Sequence, residues 1–93
     1  MKYVLQYESA EGFRAKVPLH IDAHRAMWKE FHAAGTLLMV GPFTDEPAGG
    51  AMSVFSTREA AEAFAKADPF VTSGLVSRWT IREWKEVLVP EKT

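Results

Sequence analysis

The stretch from Pro18 to Pro42, PLHIDAHRAMWKEFHAAGTLLMVGP, changes its periodicity halfway and so decides the fold. Its first part places Ile21, His24, Met27, Trp28, Phe31 and Ala34 at steps of three and four residues, which is one face of a helix. Pro18 suits the first turn of that helix, where its missing N–H would have no helical partner. Gly35 suits the left-handed residue that ends it. Its second part, Thr36 to Val40, is an unbroken apolar run stopped by Gly41-Pro42, and it reads as a strand covered on both faces.

Upstream, Tyr3, Leu5 and Tyr7 alternate with Lys2, Val4 and Gln6, a period of two that predicts a first strand. Ser9 to Val17, with Gly12 and mixed charge, reads as a loop. Downstream, a loop from Phe43 to Gly50 contains Asp45, Glu46, Pro47 and a Gly-Gly pair, and a third strand follows from Ala51 to Phe55. Ser56 and Glu59 form a capping-box pattern ahead of a second helix with a stripe of Ala60, Ala63, Phe64 and Ala67. That helix is expected to stop at Asp68, because a residue before proline is pushed out of helical geometry. After a turn from Pro69 to Gly74, Leu75, Ser77, Trp79 and Ile81 alternate with Arg78, Thr80 and Arg82 in a last strand. Trp84 and Leu88 fall on the opposite parity, which calls for a bulge near Arg82–Glu83 or a change of environment there. Residues 90–93 read as a frayed tail.

The chain of 93 residues has room for one domain, residues 1–93. Its hydrophobic content of 47% is too high for a disordered chain. With no cysteine there is neither a disulfide framework nor a thiolate metal site. The net charge of -1 and the scattered Lys and Arg offer no basic stripe, so nucleic acid is not an expected partner. No secretory pattern opens the sequence and no run reaches a membrane span, so the expectation is a cytoplasmic protein without a membrane partner.

The order β-α-β-β-α-β is that of the ferredoxin-like α+β sandwich. Helices cover one sheet face and leave the other bare. Tyr3, Tyr7, Met52, Trp79 and the apolar second strand would make a bare face too greasy for a monomer, which predicts a homodimer by two-fold contact. The same order brings the start of the first helix and the end of the second to one rim. His24 lies near that start and Asp68 at that end.

Each residue has two readings. His24 is either a core histidine bonded to backbone or a functional one. Asp68 caps the amides of Phe70 or Val71, or receives an imidazole that offsets the negative helix end, and its two oxygens allow both. If they meet, Asp68 fixes the tautomer and the other ring nitrogen serves as base or acid near neutral pH. His20 and His24 stand four apart, but a third ligand and the companion glutamate of the zinc motif are missing, so no metal is expected. His32 reads as a solvated histidine near the helix end. Gly41-Pro42 and Gly49-Gly50 read first as turns, with a second use in letting a substrate approach the backbone.

His24, the run from Gly35 to Pro42, and Ala67-Asp68-Pro69-Phe70 followed by Gly74 together resemble the YciI-like (YCII-related) family over nearly the whole chain. The family pattern has a helix-one histidine eleven residues before the glycine that opens an apolar strand ending in Gly-Pro, and His24 and Gly35 keep that spacing. The resemblance implies a dimeric α+β barrel and a His24–Asp68 active-site dyad. It associates relatives with lyase or dehalogenase-type elimination on small ring compounds. The chain departs from the family's Arg-Pro-Ala run before the histidine, carrying Lys16-Val17-Pro18-Leu19-His20 there.

The leading expectation is a cofactor-independent enzyme abstracting a proton from a small organic substrate, with His24 and Asp68 catalytic and Pro42, Gly49, Gly50 and Phe70 contacting substrate. The alternative is a binding or sensing module using the same pocket without chemistry. A monooxygenase of the same architecture and a purely structural dimer are further readings. An RNA-recognition domain shares the strand order, but Gly50 to Phe55 lacks its basic residue and offers only Phe55 for stacking, which excludes it.

Overall fold

A computed structural model of the protein describes residues 1–45 and 48–90. The elements run β1 (Lys2–Ser9), α1 (Phe13–Ala33), β2 (Leu37–Pro42), β3 (Ala51–Phe55), α2 (Arg58–Ala67), α3 (Pro69–Thr72) and β4 (Val76–Trp84). The strands form one antiparallel sheet in the order β2-β3-β1-β4. This is the ferredoxin-like α+β fold. Residues 91–93 of the expected tail, and Glu46 and Pro47 of the β2–β3 loop, lie outside the described residues.

Helix α1 begins five residues before Pro18, which sits inside the helix rather than at its first turn. Gly12 takes a left-handed conformation, φ 75°, and turns the chain out of β1. Phe13 and Val17 then continue the Ile21–His24–Trp28 stripe back by two more turns. The basic residues Arg14 and Lys16 between them mask that periodicity in the sequence. At the other end, the ring nitrogen Nδ1 of His32 lies 2.8 Å from the Leu37 carbonyl oxygen, tying the end of α1 to β2.

Helix α2 is capped by Thr57, not Ser56: the Thr57 hydroxyl accepts from the Ala60 amide at 3.1 Å. Its buried stripe is Ala61, Phe64 and Ala65. Ala63 and Ala67 are exposed, so the helix is turned from the expected face. The helix stops before Asp68 as the Asp-Pro step dictates. Phe64 anchors it, meeting Phe31 edge to face at 5.1 Å and Phe55 at 5.4 Å between ring centroids.

In β1, Leu5 and Tyr7 are buried against the helices. Tyr7 pairs opposite Trp79, and Leu5 opposite Ile81, so Tyr7 and Trp79 belong to the covered face and not to the bare one. Strand β4 pairs evenly with β1 from Trp84 to Arg78, and the irregularity falls at Glu8/Ser9 rather than at Arg82–Glu83. Trp84 ends the strand, and Leu88 lies beyond it, so the parity switch is a change of environment. Strand β2 is an edge strand whose register slips between Leu37 and Met39. Only Leu37 is buried in it, so a single chain does not cover the run on both faces. Met39, Met52 and Trp84 are exposed large apolar side chains with the parity of the open sheet face.

Candidate active site

No residue of α1 is fully buried. The helix stands off the sheet, and a hollow of about 460 Å3 lies between them. Its walls come from α1 (Val17, Ile21, His24, Trp28), from the sheet (Leu5, Tyr7, Val40, Ser53) and from the rim (Pro42, Gly50, Phe70). The lining is mostly apolar, with a few polar groups, which is the composition of small-molecule sites. A second, shallower depression of about 740 Å3 lies over the β1–α1 turn and reaches neither His24 nor Asp68.

Asp68 is 0% exposed at the junction of α2 and α3. An ionised carboxylate in that position needs donors on both oxygens. Three converge on it. The Tyr7 hydroxyl donates to Oδ2 at 2.7 Å. The Phe70 amide donates to Oδ1 at 3.0 Å, which makes Asp68 the cap of α3. Nδ1 of His24 lies 2.8 Å from the same Oδ1. The two sequence readings of Asp68, helix cap and imidazole partner, therefore hold at once.

With Asp68 ionised, its oxygens can only accept, so the His24 proton sits on Nδ1 and Nε2 carries the lone pair. Among the described residues every buried side-chain nitrogen and oxygen has a partner. Nε2 has none, so it is not buried, and its outlet is the hollow that His24 lines. The ring is held in place on two sides. Phe70 stacks on it at 3.9 Å with planes 8° apart, and Phe64 meets it edge-on at 6.3 Å. The imidazole is thus fixed in rotation by a hydrogen bond and in tilt by a stack.

Tyr7 is a member of the site that the sequence reading places only in the sheet. Burial, and then the neighbouring Asp68 carboxylate, push its phenol well above the usual tyrosine range. It stays protonated and serves as a permanent donor. A signal is present in the sequence: Tyr7 shares the parity of Leu5, and a tyrosine on a core face needs a partner for its hydroxyl.

Of the residues expected to contact substrate, Pro42, Gly50 and Phe70 line the hollow. Gly49 is not among the lining residues; it packs beside Phe13 and Ser9. His20 is half-buried on α1 away from the hollow's lining. Among the described residues, no group of three His, Cys, Asp or Glu could hold a metal ion. No helix of the described residues is long and apolar enough to cross a membrane.

The family model of the YCII-related domain matches residues 1–85. No curated protein matches the sequence. Among solved structures, 5-chloro-2-hydroxyhydroquinone dehydrochlorinase from Burkholderia phenoliruptrix, in complex with 2,5-dihydroxybenzoquinone, is similar with a TM-score of 0.74 and 18% identity over 91% of this chain and 94% of that one. A variant of MhuD with two manganese protoporphyrin IX bound per active site is similar with a TM-score of 0.54 and 14% identity over 99% and 100% of the two chains. A protein from Agrobacterium tumefaciens is similar with a TM-score of 0.52 and 16% identity over 88% and 89%. At these identities the likeness is one of fold.

Proposed function

The chain belongs to the YCII-related domain family, and from that premise we propose that it is an enzyme that removes a proton from a small organic molecule in a lyase-like elimination, with no cofactor. His24 is the base and Asp68 the group that orients it. The observation that carries this reading is the 2.8 Å contact between Nδ1 of His24 and a fully buried carboxylate, which leaves Nε2 to the hollow.

The chemistry follows from that arrangement. Nε2 accepts a proton from an acidified carbon of the substrate. The electron pair left behind forms a double bond, and the leaving group departs with its own pair. The imidazolium formed is stabilised by Asp68 and then passes its proton to the departing group or to solvent, which restores the base. A positioned base of this kind contributes about 10² to 10⁴ in rate. The dehydrochlorinase of similar fold acts on a small chlorinated ring compound, which makes substituted rings the first substrates to try.

The open sheet face supports assembly as a two-fold dimer. Met39, Met52 and Trp84 share that face, and pairing with a second copy would cover them. A Met52→Glu variant should sediment as a monomer where the unmodified protein sediments as a dimer. A monomer in both cases removes this part of the proposal.

The test of the activity is proton exchange, which any compound with an acidic C–H bond can report. Small carbonyl and phenolic ring compounds, with and without halogen, are incubated with the protein in deuterated water and followed by NMR. Exchange or halide release should occur and should fall at least a hundredfold in His24→Ala. Equal rates in both proteins defeat the reading. A compound that binds and is recovered unchanged, with no exchange from any other, leaves a binding module instead.

A further inference from the structure

Two polar side chains of the hollow have no partner among the described residues and are not used by the proton transfer. Ser53 lies in β3 on the covered face, opposite Leu5 and Val40, and is only 5% exposed. Its hydroxyl makes no hydrogen bond within the described residues, yet no buried polar side-chain atom among them is left unpartnered. The oxygen therefore opens on the hollow, which Ser53 lines. Arg25 follows His24 on α1, one turn after Ile21, and lines the same hollow from an exposed position, so it stands at the mouth. Its guanidinium has no ion pair, hydrogen bond or ring contact among the described residues. Among the described residues no acidic side chain lines the hollow, and the buried Asp68 carboxylate is already engaged by three donors. The hollow is apolar in the middle, positive at the mouth and hydroxyl-bearing on the sheet side.

We infer that Arg25 and Ser53 set the ligand class of this pocket: a small, mainly apolar molecule bearing one anionic oxygen, a carboxylate or a phenolate, that pairs with Arg25 while a second polar atom reaches Ser53. The inference rests on the reading of the hollow as the active site, and it names the substrate class of that site. Arg25 suits the role because its planar fork matches a carboxylate or phenolate oxygen, and an exposed guanidinium has little desolvation cost to overcome.

Equilibrium binding tests it without any turnover. The probes are benzoate against benzamide and para-nitrophenolate against para-nitroanisole, titrated by NMR and calorimetry into the full chain. The anion of at least one pair should bind about three- to tenfold tighter than its neutral counterpart. Which pair shows the preference separates carboxylate from phenolate. The preference should shrink with added salt and vanish in Arg25→Met, whose exposed position spares the fold. Ser53→Ala should weaken the preferred anion further, with unchanged thermal unfolding. His24→Ala should keep the anion preference, so a failure of the catalytic reading would not imitate a failure here. Equal affinity within both pairs, a preference that survives Arg25→Met, or no binding of any of the four compounds overturns the inference.

Discussion

The hydroxyl of Tyr7 and the imidazole of His24 hold opposite oxygens of one buried carboxylate, at 2.7 Å and 2.8 Å, from residues that both belong to the first third of the chain. Strand β1 supplies one donor and helix α1 the other, while Asp68 sits at the end of α2, more than forty residues further on. The ferredoxin-like strand order is what makes them meet. Charge burial and pocket geometry are thus coupled: whatever disturbs Tyr7 also disturbs the group that orients His24.

Asp68→Asn separates charge from shape. The amide oxygen can still accept from the Phe70 amide and from His24, and the amide nitrogen can donate to a Tyr7 hydroxyl that turns around. The fold should survive, seen as an unchanged urea midpoint. On the proposed mechanism the negative charge that would stabilise the imidazolium is gone, so proton exchange should slow by about a hundredfold or more. Full activity in this variant would reduce Asp68 to a helix cap.

Tyr7→Phe removes a donor from a buried carboxylate, and at neutral pH it should cost about 1.5–3 kcal/mol of stability. It should also change the alkaline limb. The folded phenol holds its proton to higher pH than the unfolded one. Its contribution is complete below the unfolded value near 10 and is lost as pH rises above it, at about 1.4 kcal/mol per pH unit. Urea midpoints between about pH 9 and 11.5 should therefore fall more steeply in the unmodified protein than in Tyr7→Phe. Parallel curves would mean that the hydroxyl is not buried against Asp68.

Much of this site is legible in the sequence. The periodicity switch between Phe31 and Leu37 and the Asp68-Pro69 step imply the strand order, and the order brings His24 and Asp68 to one rim. What escapes is sidedness. Alternation says that Tyr3, Leu5 and Tyr7 share a face, but not which face the helices cover, and the expectation of a bare face holding Tyr7 and Trp79 picks the wrong one. The start of α1 escapes for a different reason. Proline marks a helix start by what it lacks, and inside the helix it lacks the same N–H, so Pro18 carries no signal that five helical residues precede it. Thr57 over Ser56 is a one-residue choice between two good caps, decided by where β3 ends and not by side-chain chemistry.

Phe70→Leu tests whether the stack on His24 matters beyond filling space. Leucine keeps an apolar side chain and the backbone amide that Asp68 receives, so stability should drop by less than about 1.5 kcal/mol. The imidazole loses the flat surface 3.9 Å away that fixes its tilt. Since a misplacement of about 1 Å can cost about a hundredfold in rate, kcat should fall while ligand affinity changes little. The His24 ring resonances should broaden in the same variant. An unchanged kcat would show that the Asp68 hydrogen bond alone positions the ring.

Gly50 is where the pocket wall depends on a missing side chain. Its φ is 90°, and a Cβ there would lie 2.9 Å from the Tyr7 carbonyl oxygen, a backbone atom that cannot move aside. The residue is pinned from both directions, since its amide donates to the Ser9 hydroxyl at 2.8 Å and its carbonyl accepts from the Phe43 amide at 2.9 Å. Gly50→Ala therefore meets strain and a clash together, and should cost about 1–3 kcal/mol, or roughly 4–8 °C in Tm for each kcal/mol in a domain of this size. Gly41→Ala is the control: its Cβ would meet nothing within 4 Å and its φ is not positive. That variant should unfold within a few degrees of the unmodified protein. If Gly50→Ala were as stable as Gly41→Ala, the loop would be free to rearrange, and the backbone beside Tyr7 would not be a fixed wall of the site.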